Sequence, residues 1–266
     1  MKMESPTDKL IARKEGAIGW IVFNQPQKLN AVSFEMWQAL PVLLDQFAVD
    51  EEIRVVILRG EGDQAFISGA DISQFGEKRS TTETVLEYNA ASDRAGKALQ
   101  GFPKPTLAMI RGYCIGGGVA VAVGCDLRIA ADDTRYSIPA GKLGLGYRFA
   151  GVKRLADLVG PSFAAEIFYT ARQFNAQEAL QMGLVNRVVP AAELERYTMD
   201  YANTIAGNAP LTLASIKHSI IEWHKDPGER DPALAQKLVD ACYSSEDYKE
   251  GRTAFMEKRK PVFKGR

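Results

Sequence analysis

The sequence predicts an α/β core followed by a helical region, and three observations support this division. Short apolar runs alternate with longer amphipathic segments in the first half of the chain, and a strand–strand–helix unit occurs at least twice. From residue 151 onward the sequence becomes mostly helical, apart from one short apolar run at 184–189. We therefore predict a core over residues 1–190 and a helical C-terminal region over residues 191–266.

Apolar periodicity locates the individual strands and helices. Ser33 is a suitable N-cap for a first helix, because apolar residues then recur at helical spacing as far as Phe47. Pro103 and Pro105 end a second long helix that begins near residue 82. Strands are predicted at 18–23, 55–59, 65–72, 106–110, 126–131, 135–138 and 184–189. Later helices are predicted at 152–159, 162–170, 176–182, 210–223, 231–243 and 247–258.

Three successive glycines lie between the strand that ends at Ile110 and the start of another helix. Gly116, Gly117 and Gly118 have no side chains to cover the backbone at the predicted start of this helix. There the first N–H groups have no partner within the helix, and the helix dipole is positive. Such a site suits an anion, whether a bound phosphate or a charge that develops only during a reaction. The same glycines also suit a tight turn that lets helix and strand pack closely. This stretch alone leaves both interpretations open.

Composition excludes several classes of function. Lys+Arg and Asp+Glu balance at 33 each, so bulk charge gives no argument for nucleic acid or an anionic membrane as a partner. No apolar run approaches the roughly 18 residues that span a bilayer, and polar residues 1–9 show no secretory signal. The three cysteines, Cys114, Cys125 and Cys242, form no CxxC pair, and His218 and His224 are the only histidines. We expect a cytoplasmic protein without a metal site or a Ser-His-Asp triad.

Three segments, in this order and spacing, resemble the enoyl-CoA hydratase/isomerase (crotonase) superfamily. They are residues 66–72 (FISGADI), 112–118 (GYCIGGG) and 143–155 (LGLGYRFAGVKRL). Residues 171–184 and the C-terminal stretch from 245 to 264 are also similar, so the resemblance covers nearly the whole chain. It implies a spiral of ββα turns followed by a helical C-terminal trimerisation region, and an assembly that is a homotrimer or a dimer of trimers. It also implies an acyl-CoA thioester as substrate.

The resemblance further implies where that thioester binds. The backbone N–H groups of Ala70 and Gly117 would form an oxyanion hole around the thioester carbonyl, and each such donor is worth roughly 3–4 kcal/mol in a dry site. Phe263 and Lys264 match residues that reach the adenine end of CoA from a neighbouring subunit. The residues implied along the CoA arm are Gln27, Lys28, Leu29, Ser68, Asp71 and Ile72. Coenzyme A is thus part of the substrate, and no permanently bound cofactor is expected.

The sequence departs from the superfamily at the two positions that handle water in hydratases. Both are glutamates in those relatives, whereas Ala120 and Ala140 stand here. General acid–base catalysis contributes typically about 10²–10⁴-fold, so efficient hydration by the usual route is not expected. Methylmalonyl-CoA decarboxylases of the superfamily resemble this chain instead, with a tyrosine aligned to Tyr147. They carry a histidine where Ala70 stands here, which weakens that comparison.

Three functions therefore compete. The first is an acyl-CoA lyase that stabilises a thioester enolate, with decarboxylation as its specific form. Tyr147 is then a catalytic residue that orients the carboxylate of the substrate. For Arg148, a salt bridge on the surface or at a trimer interface is the favoured role. The second is a hydratase or isomerase whose acid–base group comes from the helix after the Ala70 loop, where the candidates are Glu83, Glu87, Tyr88 and Asp93. The third is a non-catalytic acyl-CoA-binding homologue.

Overall fold

The strands form two sheets, as seen in a computed structural model that describes residues 2–74 and 81–266. The larger sheet contains β1 (Lys2–Met3), β2 (Leu10–Glu15), β3 (Ile18–Phe23), β4 (Val55–Gly60), β6 (Thr106–Ile110), β8 (Leu127–Ala131) and β11 (Arg187–Val189), which neighbour one another in that order. The smaller sheet contains β5 (Ala65–Ile67), β7 (Tyr113–Ile115), β9 (Arg135–Ser137) and β10 (Phe174–Asn175), in the order β10-β9-β7-β5.

Each turn of the chain adds one strand to each sheet. The consecutive pairs β4 and β5, β6 and β7, and β8 and β9 each divide between the larger and the smaller sheet. Strands from successive turns are parallel in both sheets, and parallel neighbours need a crossover connection. The helices α1 (Phe34–Val49), α2 (Thr82–Gly101) and α3 (Gly117–Gly124) provide these crossovers. The predicted spiral of ββα turns is confirmed.

The larger sheet is buried on both faces, as the apolar run at 55–59 predicts. Val56 and Leu58 belong to a core shared with α1 and α2, while Val55 and Ile57 belong to a second core on the opposite face. Alternate residues of a strand point to opposite faces, so a strand that lies between two cores has no polar side.

The chain beyond β9 is mainly helical, with the short strands β10 and β11 between its helices. After α4 (Phe149–Thr170) and α5 (Ala176–Gln181) follow α6 (Leu194–Ala206), α7 (Pro210–His224), α8 (Pro232–Ser244) and α9 (Glu246–Glu257). Buried Lys217 of α7 joins this region to the core, because its ammonium donates to the Lys104 carbonyl at 2.7 Å and to the Asp126 carboxylate at 2.8 Å. Among the described helices, none has the length and apolar character needed to cross a membrane.

Helix α6 and the β1–β2 hairpin were not predicted from the sequence. The face of α6 that packs on the second core consists of Leu194, Tyr197, Thr198, Tyr201, Ala202 and Ile205. This i, i+3, i+4, i+7 spacing is typical of an amphipathic helix, so the sequence does carry a helical signal here. The two predicted helices at 152–159 and 162–170 correspond to α4, whose backbone is non-helical at Gly160 (φ 80°, ψ 156°). The predicted break is therefore confirmed, because two helices meet at a kink at Gly160.

We predict that Gly118→Ala destabilises the fold. A Cβ at Gly118 would lie 2.3 Å from the Ile67 carbonyl oxygen, so α3 would have to move away from β5, and overpacking of this kind costs about 1–3 kcal/mol. The matched control is Gly101→Ala, another helical glycine, whose Cβ would meet nothing within 4 Å. Urea denaturation should show a lower free energy of unfolding for Gly118→Ala alone. Equal stability of the two variants would contradict the close approach.

Candidate active site

The glycine turn joins β7 to the first residue of α3. Gly116 has φ 52° and ψ −105°, a conformation that glycine adopts readily, and its N–H donates to the Ser137 carbonyl at 2.8 Å. Gly117 is then the first helical residue, a position whose N–H has no partner within the helix. The turn thus presents one backbone donor at the positive end of a helix.

A second donor lies on the loop that follows β5. The Val32 N–H donates to the Gly69 carbonyl at 2.8 Å, and the Asp71 N–H donates to the Val32 carbonyl at 2.9 Å. These two bonds fix the peptide between them, and the described residues offer no hydrogen-bond acceptor to the Ala70 N–H. A Cβ at Gly117 would lie 4.0 Å from the Ala70 nitrogen. The structure therefore brings Ala70 and Gly117 together, as an oxyanion hole requires.

Neither acid–base position carries a proton-transferring group. Ala120 is exposed and lies one helical turn beyond Gly116, to whose carbonyl its N–H donates at 3.1 Å. Ala140 is 9% exposed, in the 3₁₀ turn Pro139–Leu143 that follows β9. A methyl group at both places leaves any proton transfer to other side chains or to solvent.

The residues predicted along the CoA arm form one cluster around Asp71. The Lys28 ammonium lies 2.9 Å from the Asp71 carboxylate and donates to the Ser73 hydroxyl at 2.7 Å. Burial opposes ionisation of Asp71, but hydrogen bonds from Ser73 and Lys28 outweigh it and lower the pKa of this carboxyl. The Ser68 hydroxyl donates to the Lys28 carbonyl at 3.3 Å. Around them, Gln27 and Ile72 are exposed and Leu29 has a left-handed backbone with φ 51°.

Sequence reasoning missed two buried amides that shape this cluster. Asn30, with φ 55°, donates to the Glu61 and Ala65 carbonyls at 2.9 and 2.7 Å. Gln25 donates to the Ala31 carbonyl at 2.9 Å, and its own N–H donates to the Asn30 side chain at 3.0 Å. Polar side chains buried in a turn form hydrogen bonds with backbone groups that have no partner in a helix or a β-sheet. The sequence signal that could have indicated this turn is Asn30 itself, because asparagine tolerates the left-handed backbone conformation.

Tyr147 and Arg148 each contact a side chain of a neighbouring helix segment, Phe168 and Asp93 respectively. The Tyr147 ring packs edge-on against Phe168, with centroids 4.7 Å apart, and 37% of the residue is exposed. Burial around its hydroxyl raises the pKa of Tyr147, while Arg148 lowers it to a smaller extent. Arg148 forms a salt bridge with Asp93 of α2. The structure thus gives Arg148 the surface role favoured from the sequence.

Of the four acid–base candidates on α2, one is buried. Glu83 and Glu87 are exposed, and Asp93 is the partner of Arg148. Tyr88 is 4% exposed, and its hydroxyl accepts a hydrogen bond from the Trp37 indole nitrogen at 2.9 Å. A Cβ at Gly117 would lie 3.6 Å from Cζ2 of the same indole. Tyr88 is therefore connected to the oxyanion donors through Trp37.

Phe263 and Lys264 lie in the C-terminal segment. The Lys264 N–H donates to the buried Asp247 carboxylate at 2.6 Å, and the Phe263 carbonyl accepts from Arg54 at 3.3 Å. Phe263 also lines an apolar cavity of about 600 Å³ between α7, α8 and α9. This cavity is distinct from the Ala70 and Gly117 donors, so the adenine-end role of both residues stays a prediction. Within the described ranges, no group of three or more His, Cys, Asp or Glu side chains is placed to hold a metal ion.

Two backbone donors from different turns lie close together beside a helix N-terminus, an arrangement of the kind that suits a carbonyl oxygen as it gains negative charge. The chain belongs to the enoyl-CoA hydratase/isomerase family, whose model matches residues 13–266. The predicted membership of the crotonase superfamily is thereby confirmed.

Individual relatives agree with this assignment over their whole length. The short-chain-enoyl-CoA hydratase of Clostridium acetobutylicum is 34% identical, over 95% of this chain and 96% of the relative. The crotonyl-CoA hydratase of Syntrophomonas wolfei is 32% identical, over 96% and 98% respectively. The crystal structure of an enoyl-CoA hydratase/carnithine racemase from Magnetospirillum magneticum has a TM-score of 0.92 and 34% identity, and the similarity covers 98% of this chain and 97% of that one.

Side chains at the start of α1 connect this helix to the Ala70 loop. The Phe34 N–H donates to the Gln74 side chain at 2.9 Å, and Gln74 donates to the Glu35 carboxylate at 3.1 Å. Burial raises the pKa of Glu35, but hydrogen bonds from Ser33, from its own N–H and from Gln74 outweigh burial and lower the pKa to about 2. The ionised carboxylate is thus part of what holds the loop.

We predict a pH-dependent stability difference between the wild type and Glu35→Gln. The folded-state pKa of Glu35, about 2, is below its ordinary value of 4.5, so its stabilising contribution is complete above about pH 4.5 and is lost as the pH falls toward 2. Urea denaturation should show the wild type to be more stable at pH 7, and most of this difference should be lost near pH 2. Glu87→Gln, at an exposed position, is the control. A difference as large at pH 2 as at pH 7 would contradict the assignment.

Proposed function

We propose that the protein binds a short-chain enoyl-CoA thioester, polarises its carbonyl with the Ala70 and Gly117 N–H groups, and adds water to the double bond. The paired N–H groups are the observation that carries the proposal. When the water oxygen bonds to C3, the water gives up a proton to a base and the electrons of the double bond move onto the thioester oxygen. The carbonyl then re-forms as C2 takes a proton from an acid, so that OH is left on C3 and H on C2. Donors that strengthen as this enolate forms lower the barrier, because catalysis requires tighter binding of the transition state than of the substrate.

The choice of hydration as the reaction rests on the relatives. Two of them carry the names short-chain-enoyl-CoA hydratase and crotonyl-CoA hydratase, at 34% and 32% identity over nearly the whole chain. Because Ala120 and Ala140 cannot transfer protons, the proposal needs another acid–base group. Tyr88 is the candidate we assign, since it is buried and hydrogen-bonded to the indole beside Gly117, and tyrosine is among the side chains that perform this role.

Decarboxylation is the second candidate function, and the two alanines are the observation that favours it. Loss of CO₂ from a carboxyacyl-CoA leaves its electron pair on the α-carbon, and the same two donors stabilise the resulting enolate. This step needs neither a water molecule nor a base. The exposed Tyr147 and the Arg148–Asp93 salt bridge give it no additional support.

The CoA moiety would lie along the cluster around Lys28 and Asp71, with no resident cofactor. The predicted assembly, a homotrimer or a dimer of trimers in the cytoplasm, is part of the proposal. Large apolar side chains on α7, α8 and α9 support association, because Ile216, Tyr243 and Phe255 line one cavity and are 53%, 63% and 82% exposed in the single chain. Monomeric proteins rarely leave such patches uncovered.

We predict that crotonyl-CoA loses its enoyl absorbance in the presence of the protein and that Gly117→Pro abolishes most of this activity. Proline is tolerated at the first helical position, yet it lacks the N–H that meets the oxyanion. Loss of one such donor costs about 10²–10³ in kcat. Gly117→Ala keeps the N–H, and its Cβ makes only ordinary contacts, so it should retain far more activity.

Methylmalonyl-CoA, assayed in parallel by CO₂ release, separates the two candidate reactions. Turnover of crotonyl-CoA alone supports hydration, and turnover of methylmalonyl-CoA alone replaces it with decarboxylation. Equal activities of Gly117→Pro and Gly117→Ala would remove the oxyanion hole from either mechanism.

We predict that Ala120→Glu combined with Ala140→Glu raises the rate of crotonyl-CoA hydration. Two carboxylates at these positions would supply acid and base in the geometry used by relatives, and general acid–base catalysis contributes about 10²–10⁴-fold. Initial rates at saturating substrate measure the gain, and Ala120→Gln with Ala140→Gln controls for side-chain size. A folded double variant without any gain would show that these positions do not face the substrate.

A further inference from the structure

We propose that Trp37 and Tyr88 close the acyl pocket and thereby restrict the protein to short acyl chains. This inference rests on the proposed function, because it takes Ala70 and Gly117 as the groups that hold the thioester carbonyl. It goes further by assigning the selection of chain length to two particular side chains.

The indole of Trp37 lies beside both oxyanion donors. A Cβ at Gly117 would lie 3.6 Å from Trp37 Cζ2 and 4.0 Å from the Ala70 nitrogen. A carbonyl oxygen that both N–H groups hold at about 3 Å brings the carbons attached to it into the space next to this indole. Trp37 is only 5% exposed, so it bounds that space from the interior.

The buried side of the site is the side available to the acyl group. The CoA arm is large and polar and must extend toward solvent, where the Lys28 side chain is 42% exposed and Ile72 is 67% exposed. Trp37 and Tyr88 lie at the opposite, buried end, at 5% and 4% exposure. The acyl chain therefore points toward the two aromatic rings.

Three contacts hold the two rings in place. The Trp37 indole N–H donates to the Tyr88 hydroxyl at 2.9 Å, which joins α1 to α2. Phe34 stacks on Tyr88 with ring centroids 6.2 Å apart and an interplanar angle of 29°. The Phe34 N–H is in turn bonded to Gln74 at 2.9 Å. Because the Trp37 and Tyr88 side chains are bonded to each other from two different helices, neither can change rotamer alone. We therefore expect no space for a longer acyl chain beyond them.

The test compares the affinities of butyryl-CoA and decanoyl-CoA by isothermal titration calorimetry. These saturated thioesters need no turnover, and their ratio within one variant is insensitive to a loss of folded protein. We expect the wild type to prefer butyryl-CoA. Trp37→Leu should shift the ratio toward decanoyl-CoA by at least about tenfold, since single methylenes in apolar pockets discriminate by about 10–200-fold. Tyr88→Leu, on the other helix, should shift it in the same direction and serves if Trp37→Leu does not fold.

Trp223→Leu is the matched control, because this tryptophan is 71% exposed on α7, and it should keep the wild-type ratio. A wild type that bound decanoyl-CoA as tightly as butyryl-CoA would overturn the inference. So would ratios that stay within twofold of the wild type in the folded variants. Selective binding of butyryl-CoA without turnover of crotonyl-CoA would uphold the inference and refute hydration. Failure to bind either thioester would refute both.

Discussion

The approach of bare backbone to the segment that contains β5 is the constraint on which the site depends. Three glycines from separate parts of the chain contact this segment. A Cβ at Gly60 would lie 2.2 Å from the Ala65 carbonyl oxygen, one at Gly112 would lie 1.9 Å from that of Gln64, and one at Gly118 would lie 2.3 Å from that of Ile67. Each contact requires the absence of a side chain. Together they place the loop after β5 against the start of α3, so Ala70 and Gly117 meet.

Because both donors are backbone N–H groups, most substitutions of the surrounding side chains leave the donors themselves in place. The side chain at Ala70 does not supply the hydrogen bond; the peptide does, held by the two bonds to Val32 at 2.8 and 2.9 Å. Buried Asn30 and Gln25 then fix the preceding turn from inside. Ala120 and Ala140, where the resemblance to hydratases implies glutamates, lie outside this framework. The framework can therefore persist while the chemistry around it changes.

The sequence predicted the parts of the molecule that follow from short-range patterns. The strand at 55–59 reads as doubly buried because four successive apolar residues face two cores, and Ser33 is a recognisable cap whose hydroxyl accepts the Met36 N–H at 3.4 Å. The oxyanion pair was reached through resemblance, because residues 47 positions apart carry no local signal of contact. The Trp37–Tyr88 bond, between residues 51 positions apart, was missed for the same reason. Helix α6 was not predicted, although Leu194, Tyr201 and Ile205 recur at helical spacing on the face that packs against the second core, so a local signal was present.

Magnitudes indicate what the retained framework can still do. Each oxyanion donor is worth about 2.7–4 kcal/mol, so the pair supplies about 5–8 kcal/mol of barrier reduction if the two act independently. General acid–base catalysis by one positioned side chain, at about 10²–10⁴-fold, corresponds to about 3–5 kcal/mol at 1.36 kcal/mol per tenfold, so two such groups acting independently would supply about 5–11 kcal/mol. A chain with Ala120 and Ala140 therefore keeps a contribution of comparable size for any reaction that passes through a thioester enolate. What it loses falls on the steps that move protons to and from water, which is the role we propose for the buried Tyr88 hydroxyl beside the indole of Trp37.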